Sequence, residues 1–349
     1  MRVLTYKEID REEWNALVKA SATGTWFQTP EAYCFYESMP EFFRPFVVAV
    51  ERVNDLANER TLRGVCVGYV TVEKSAVKQW LTRRAIIIGG PCLADDCANE
   101  EVSLLLSTLR QQLSTGANAP IYIESRNFND YSRWKDAFAS AGFDYKAHLN
   151  FHVDCRDKEA MWERMSENRR RQVRKAQATV ECLTNEGISE LEVREWYEIL
   201  RMLYRTKVKT PLWPVEFFLE AYRQGVGKFL LVKHEGKVIG GSMVVMSERV
   251  KELGNEGTVY EWFECGLNAD YKEQYPSVMA TWAGMQYANG HVCARYDMMG
   301  AGVPGVPYGV RDFKSEFGGE LVEHGRFLCV NNPVLYKMGV LAVKLLKRK

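Results

Sequence analysis

The chain has 349 residues, 46% of them hydrophobic and 12% aromatic, with a formal net charge of +1. That length exceeds what one hydrophobic core usually supports and predicts two domains, while the apolar content excludes a disordered chain. A near-zero charge excludes a global field that recruits nucleic acid or an anionic membrane, so any polyanion must be met by a local patch, such as Arg164 to Lys175 or the tail Lys344, Lys347, Arg348, Lys349.

In chain order, Asp10 caps a helix through Val18 and Pro30 opens a second over Glu31 to Glu37. Phe46 to Val50 and Val65 to Val72 read as strands on either side of a polar turn around Asn54 to Arg60. Ile86-Ile87-Ile88 is a short strand ended by Gly89-Gly90-Pro91, followed by a helix from about Asn99 to Ser114. A strand at Ile121 to Glu124 precedes a helix near Tyr131 to Ala141 that Gly142 stops. The boundary between domains falls near Asn150 and lacks a Pro- or Ser-rich linker, giving domains over 1–150 and 151–321 with 322–349 packing back onto the first.

In the second half, Phe151 to Asp154 is a strand, and one long helix is expected from the cap Asp157 to beyond Ala176. Helices at Leu191 to Tyr204 and Val215 to Gln224 precede a hairpin of Phe229 to His234 and Val238 to Met246 across Glu235-Gly236-Lys237. A strand at Tyr260 to Glu264, a helix at Ser277 to Ala288, strands at Arg295 to Met298 and Phe327 to Val330, and a helix after Pro333 complete the chain. Alternating strands and helices place both halves in the α/β class.

The nine cysteines are scattered and include no close pair of the zinc-site kind, which reads as reduced, buried thiols in the cytoplasm. The N-terminus has no signal-peptide core, and no run of 18 apolar residues occurs. His148 and His152 are spaced i, i+4, but on extended backbone that spacing is too long for a shared metal, and no metal site is expected.

Gly300, Gly302 and Gly305 form a literal Gly-x-Gly-x-x-Gly, yet Pro304 and Pro307 prevent a helix from opening there to receive a pyrophosphate. The segment continues through Tyr308, Arg311, Asp312, Phe313, Lys314 and Phe317. Aromatic walls around a few charges are what a ligand groove needs, whereas the plain alternative is a surface loop with a solvated Lys314.

Ser166-Glu167-Asn168-Arg169-Arg170-Arg171-Gln172-Val173-Arg174-Lys175-Ala176, the strand Tyr260-Glu261-Trp262-Phe263-Glu264-Cys265-Gly266, and Tyr296-Asp297 ahead of Phe313-Lys314-x-x-Phe317-Gly318-Gly319 resemble FemABX-type peptidoglycan-bridge aminoacyltransferases and their GNAT-like relatives. The resemblance is strongest over residues 150 to 325. Trp26-Phe27-Gln28-Thr29-Pro30 and Gly89-Gly90-Pro91 carry it in the first half. It implies two tandem GNAT-like domains, each a mixed twisted sheet flanked by helices. It further implies a muropeptide precursor or related envelope acceptor whose amine attacks an aminoacyl ester carried on transfer RNA, without a cofactor.

On the same resemblance Lys314 stabilises the tetrahedral oxyanion, Phe313, Arg311, Asp297 and Tyr308 shape the acceptor site, and Tyr260 and Trp262 wall the groove. Thr206, Lys207 and Lys209 stand where relatives contact acceptor phosphates, with lysines in place of an arginine pattern. Arg169, Arg170, Arg171, Arg174 and Lys175 are candidates for transfer RNA phosphates, against a solvated helix face as the plain reading. An acyl-coenzyme A donor is the alternative, held by a Gly-rich loop before a helix, but Gly266 to Pro276 has a single glycine. A non-catalytic GNAT-like binding module is the third reading. In the last helix Leu335, Met338, Leu341 and Leu345 share a face, with Lys337, Lys344 and Lys347 at its margins. Docking onto a domain is the expected use, and peripheral contact with the inner face of a membrane is its rival.

Overall fold

The computed structural model describes residues 1–54, 59–116, 119–248 and 257–348; most of the polar turn expected at Asn54 to Arg60 lies outside the described residues. The chain forms two compact units, one built on Met1–His148 with Glu323–Lys349, the other on Leu149–Glu248 with Glu256–Val322.

The strands of the first unit are β1 (Arg2–Leu4), β2 (Phe43–Asn54), β3 (Glu59–Thr71), β4 (Ala85–Gly89), β5 (Cys92–Leu93), β6 (Tyr122–Asn127) and β7 (Asp144–Lys146). Its helices are α1 (Arg11–Ala20), α2 (Pro30–Glu37), α3 (Ala76–Thr82), α4 (Asn99–Ser114) and α5 (Lys135–Ser140). The second unit carries β8 (Leu149–Asp154), β9 (Glu181–Leu183), β10 (Lys228–His234), β11 (Lys237–Ser247), β12 (Gly257–Gly266), β13 (Cys293–Gly300) and β14 (Glu320–Glu323). With them go α6 (Lys158–Arg164), α7 (Glu167–Gln177), α8 (Glu190–Leu203), α9 (Val215–Arg223), α10 (Pro276–Gly290) and α11 (Gly309–Ser315). The chain then returns to the first unit with β15 (Arg326–Val330) and α12 (Pro333–Arg348).

Among the described residues the first sheet runs β1-β2-β3-β4-β6-β15-β7, with β5 on β3, and the second β14-β8-β13-β12-β11-β10-β9. Both sheets are mixed. In the first, β4 and β6 are parallel, while β1–β2, β2–β3, β3–β4, β3–β5, β6–β15 and β15–β7 are antiparallel. In the second, β12 and β13 are parallel, while β8–β13, β11–β12, β10–β11 and β9–β10 are antiparallel. In the first unit, α4 and α5 pack Leu105, Leu109 and Phe138 onto Val48, Ile87, Ile123 and Phe327, the rings of Phe138 and Phe327 stacking at 3.8 Å. The second core joins Phe151, Val153, Leu230 and Val244 of the sheet to Met279 and Met285 of α10, and Phe317 closes it.

Local chemistry sets most boundaries. The Asp10 carboxylate accepts from the amides of Glu12 and Glu13, and Thr29 caps α2 ahead of Pro30. Gly142 takes φ 87° after α5. Glu235 and Gly236, both at positive φ, turn the β10–β11 hairpin.

The single long helix expected after Asp157 is two helices. Met165 is extended at ψ 148°, and the Ser166 hydroxyl accepts from the Arg169 amide to start α7 afresh. After α8 the backbone widens into a π turn over Tyr204–Val208 that ends on Lys209 at φ 53°. The final helix also departs from expectation. Leu335 and Tyr336 are half-buried, whereas Met338 and Leu341, both expected to dock, are 54% and 59% exposed. The side chains of Lys344, Leu345 and Lys347 lie outside the described residues.

Candidate active site

The second unit opens where its two parallel strands part. Register between β12 and β13 ends at Tyr260 opposite Asp297, although β12 continues to Gly266 and β13 to Gly300. In the first unit the parallel pair β4–β6 stays in register from Ala85 to Gly89. Strand ends that part leave backbone carbonyls without a neighbouring strand, and those groups need other donors.

Lys314 meets that need. From the last turn of α11 its ammonium donates to the carbonyls of Met298 and Gly300, the latter at 3.2 Å. Three acidic side chains act on it, Glu261 and Glu264 of β12 and Asp297 of β13. Burial pulls the lysine below its usual range, and the three acids work against that pull.

A bulge aims the two glutamates. Met243 of β11 faces Phe263 while Val244 faces Glu261, so Trp262 is an extra residue in the ladder. On a regular strand residues three apart point to opposite faces; the bulge changes that parity, and Glu261 and Glu264 both act on Lys314. Glu261 is 6% exposed and its Oε1 accepts from the Tyr296 hydroxyl at 2.8 Å and the Thr281 hydroxyl at 3.3 Å. Burial raises its pKa. Glu264 is pushed up to about 8, first by burial and then by the neighbouring Glu261 charge, and its Oε1 is buried without a hydrogen-bond partner. Asp297 behaves differently: burial opposes its ionisation, yet His152, whose Nε2 lies 3.2 Å away, and Arg295 hold its carboxyl below the usual range. Its Oδ1 also accepts from the Met299 amide at 2.7 Å.

The site is therefore a buried ammonium among carboxylates, one of which burial pushes up to about 8. Such an arrangement can stabilise developing negative charge and accept a proton. Among the described residues no group of acids, histidines or cysteines could hold a metal ion.

The structure gathers only part of what the sequence suggested. Lys314, Asp297 and Phe313 belong to this region. Tyr260 is fully buried and so lies in the interior, not along a groove wall, whereas Trp262 is half-buried with its ring edge against Phe217. The Arg311 guanidinium donates to the carbonyls of Ala301, Val303 and Val306, holding the glycine-containing loop. Tyr308 is exposed, alongside Val303, Val306 and Val310.

The basic helix is also changed. Arg169 is 6% exposed, lies over the rings of Phe313 and Phe317 at 4.5 and 5.0 Å, and offers nothing to an RNA surface. Arg170 pairs with Glu163, Arg171 donates to Asn168, Arg174 lies over Trp162, and Lys175 pairs with Glu273. Thr206 donates to the Met202 carbonyl within the π turn, while Lys207 and Lys209 project from it exposed.

Glu261, Glu264 and His152 escaped notice as site residues. The sequence signal for the two glutamates is a pair of carboxylates inside an otherwise apolar strand, and on a regular strand residues three apart point to opposite faces.

Residues 254–344 match the FemAB family model. No curated protein matches the chain in sequence. Among solved structures the chain is similar to the crystal structure of FemX at TM-score 0.69 and 14% identity, covering 97% of this chain and 99% of that one. It is also similar to L-PGS from Bacillus licheniformis, at TM-score 0.53 and 11% identity over 97% of each chain. A conserved protein of unknown function from Bacteroides thetaiotaomicron matches at TM-score 0.52 and 10% identity, over 92% of this chain and 96% of that chain. The chain thus shares the fold of FemX along nearly its whole length and carries the FemAB sequence pattern over residues 254–344.

Proposed function

We propose that the chain is an aminoacyl- or acyltransferase of cell-envelope metabolism that forms an amide at Lys314. The observation that carries this reading is the Lys314 ammonium, fixed by two β13 carbonyls in the gap between β12 and β13 with an N–H to spare. The amine of an envelope acceptor attacks the carbonyl carbon of an aminoacyl ester. The carbonyl π electrons move to oxygen, and the remaining Lys314 N–H stabilises that oxyanion. Glu264, with a free carboxylate oxygen and a pKa near the working pH, takes the proton lost by the attacking amine. Collapse of the intermediate re-forms the carbonyl and expels the ester oxygen, which takes the proton held by Glu264 and leaves as the alcohol, while the amide remains. No covalent enzyme intermediate is needed, because the acceptor amine is itself the nucleophile.

The FemAB match over residues 254–344 supports this reading, since that stretch includes Glu261, Glu264, Asp297 and Lys314. Aminoacyl-transfer RNA is the favoured donor and a peptidoglycan precursor the favoured acceptor. Acyl-coenzyme A is disfavoured by the start of α10, where the Ser277 amide donates to the Asn268 side chain at 3.1 Å and Gly266 abuts that amide. One first-turn amide that would cradle a pyrophosphate is thereby occupied.

The test compares muropeptides by mass spectrometry from cells carrying the wild-type chain or Lys314→Met, with purified protein assayed in parallel on charged transfer RNA and on acyl-coenzyme A. Loss of an oxyanion donor lowers turnover about a hundredfold. Unchanged turnover in a folded Lys314→Met removes Lys314 from the mechanism, and ligand binding without product under any donor leaves a binding module.

A further inference from the structure

The first unit contains a cavity of about 590 Å³ that the proposed chemistry does not use, lined among others by Trp80, Arg83, Arg110, Asn332 and Leu335. Arg83 is 8% exposed; its Nε donates to the Ala119 carbonyl at 2.8 Å, and burial together with the like charge of Arg44 depresses its pKa. Arg110 donates to the Ala141 carbonyl at 3.2 Å. Among the described residues neither guanidinium is paired with a carboxylate. A buried cation without a counter-ion is costly, and Arg83, with the exposed Arg110 lining the same cavity, marks a place where an anion completes the structure.

The cavity lies beside an unusual surface. Helices α3 and α12 contact each other, and neither buries its outward apolar side chains. On α3, Val77 and Trp80 are 69% and 56% exposed, with Leu81 on the same face; on α12, Val334, Met338 and Leu341 are spaced i, i+4, i+7 and are all more than half exposed. The opposite side of α12 is anchored, with the Tyr336 ring 5.4 Å from that of Tyr122. The exposed cations Lys74, Lys78 and Lys337 lie on or next to the same two helices, Lys78 paired with Glu73.

We propose that α3 and α12 form a membrane-docking face, on which the apolar side chains enter the headgroup–acyl boundary while the phosphate of an anionic phospholipid occupies the Arg83–Arg110 cavity. Charge complementarity selects this occupant. A second copy of the chain covering the face would leave the buried Arg83 without a counter-ion, and a soluble phosphate would leave Trp80, Met338 and Leu341 in water. An anionic lipid surface meets both needs, with a tryptophan at the interface where its amphipathic ring is favoured. No helix among the described residues is long and apolar enough to cross a membrane, so the contact is peripheral.

Sedimentation of the full chain with phosphatidylglycerol–phosphatidylcholine vesicles, against phosphatidylcholine alone, tests the idea. Binding is expected only with the anionic lipid. The triple variant Val77→Ser, Trp80→Ser, Met338→Ser changes only exposed side chains and is expected to bind about tenfold more weakly or worse. Arg110→Met, checked for folding by circular dichroism, is expected to lose about fivefold. Calorimetry with glycerol phosphate and light scattering complete the set. Equal binding to both vesicles, or an unaffected triple variant, overturns the proposal. So does saturable glycerol phosphate binding without vesicle binding, or a dimer that the triple variant dissociates. Each readout is independent of transfer activity, so failure here and failure of Lys314 as a catalytic group are distinguishable.

Discussion

The guanidinium of Arg169 stands 4.5 Å from the centre of the Phe313 ring, and its Nη2 lies 3.4 Å from the Phe313 carbonyl, one residue before Lys314. The same side chain donates to Gln172 at 2.7 Å and faces Glu316 at 3.5 Å, so α7 holds α11 through one buried cation. Arg169→Ala is expected to destabilise the second unit by about 2 kcal/mol and to reduce transfer as α11 loosens. Arg171→Ala, on the exposed face, is expected to change neither. Thermal melts and initial rates of the two variants check this; equal effects would return the basic helix to the status of a charged surface.

The proposed role of Glu264 as proton acceptor predicts a pH dependence for the transfer reaction. A base must be unprotonated, so the rate is expected to rise with pH and level off above about 8, where the buried carboxyl ionises. Stability runs the other way. The folded pKa lies above the ordinary carboxyl value of 4.5, so the folded state binds this proton more tightly than the unfolded chain. Its contribution is present in full below pH 4.5 and is lost as pH rises through about 8. Glu264→Gln is expected to abolish both slopes, read as rate–pH profiles and as urea midpoints across that window. A rate profile unchanged in the variant would exclude Glu264 as the proton acceptor.

What the sequence conveyed and what it concealed follow from the range of each interaction. The starts of α1 and α2 were legible because Asp10 and Thr29-Pro30 act on amides two or three residues away. The break between α6 and α7 was not, although Ser166 was visible, because Ser occurs in helix interiors and only the extended Met165 makes it a cap. Lys314 came from resemblance. Asp297 came with it, but the two glutamates did not, because the Trp262 bulge that brings Glu261 and Glu264 to one place depends on pairing with β11. Arg169 is indistinguishable in sequence from its charged neighbours, because a run of arginines does not show which one points inward.

In the first unit, Glu124 sits between Arg126 at 2.9 Å and Arg326 at 2.8 Å. Burial works against its ionisation, but the two guanidiniums hold its pKa down to about 2. A depressed carboxyl stabilises the fold above its unfolded pKa, and that contribution is lost as pH falls from about 4.5 through about 2. Glu124→Gln leaves two cations facing each other without an anion, and is expected to cost about 3 kcal/mol at neutral pH while flattening the acid limb of the stability profile. Chemical denaturation at neutral and acid pH reads both effects. A variant as stable as wild type at neutral pH would mean that the arginines find other partners.

Gln28 ties β3 to β4. Its side-chain amide donates to the carbonyls of Val67 at 3.0 Å and Ile88 at 2.9 Å, and its oxygen accepts from the Val67 amide at 2.8 Å. It is completely buried, and the register of β3 with β4 covers only Tyr69–Ile86 and Val70–Ala85. The glutamine thus takes the place of ladder hydrogen bonds that the two strands do not make. Gln28→Leu keeps the volume but leaves one buried amide and two carbonyls without their partner, an expected loss of about 3 kcal/mol. Gln28→Glu is expected to be no better, because a carboxylate cannot donate to either carbonyl and would be buried as a charge. Denaturant midpoints for the two variants decide the matter. A leucine variant near wild-type stability would show that β3 and β4 can close upon each other without the amide bridge.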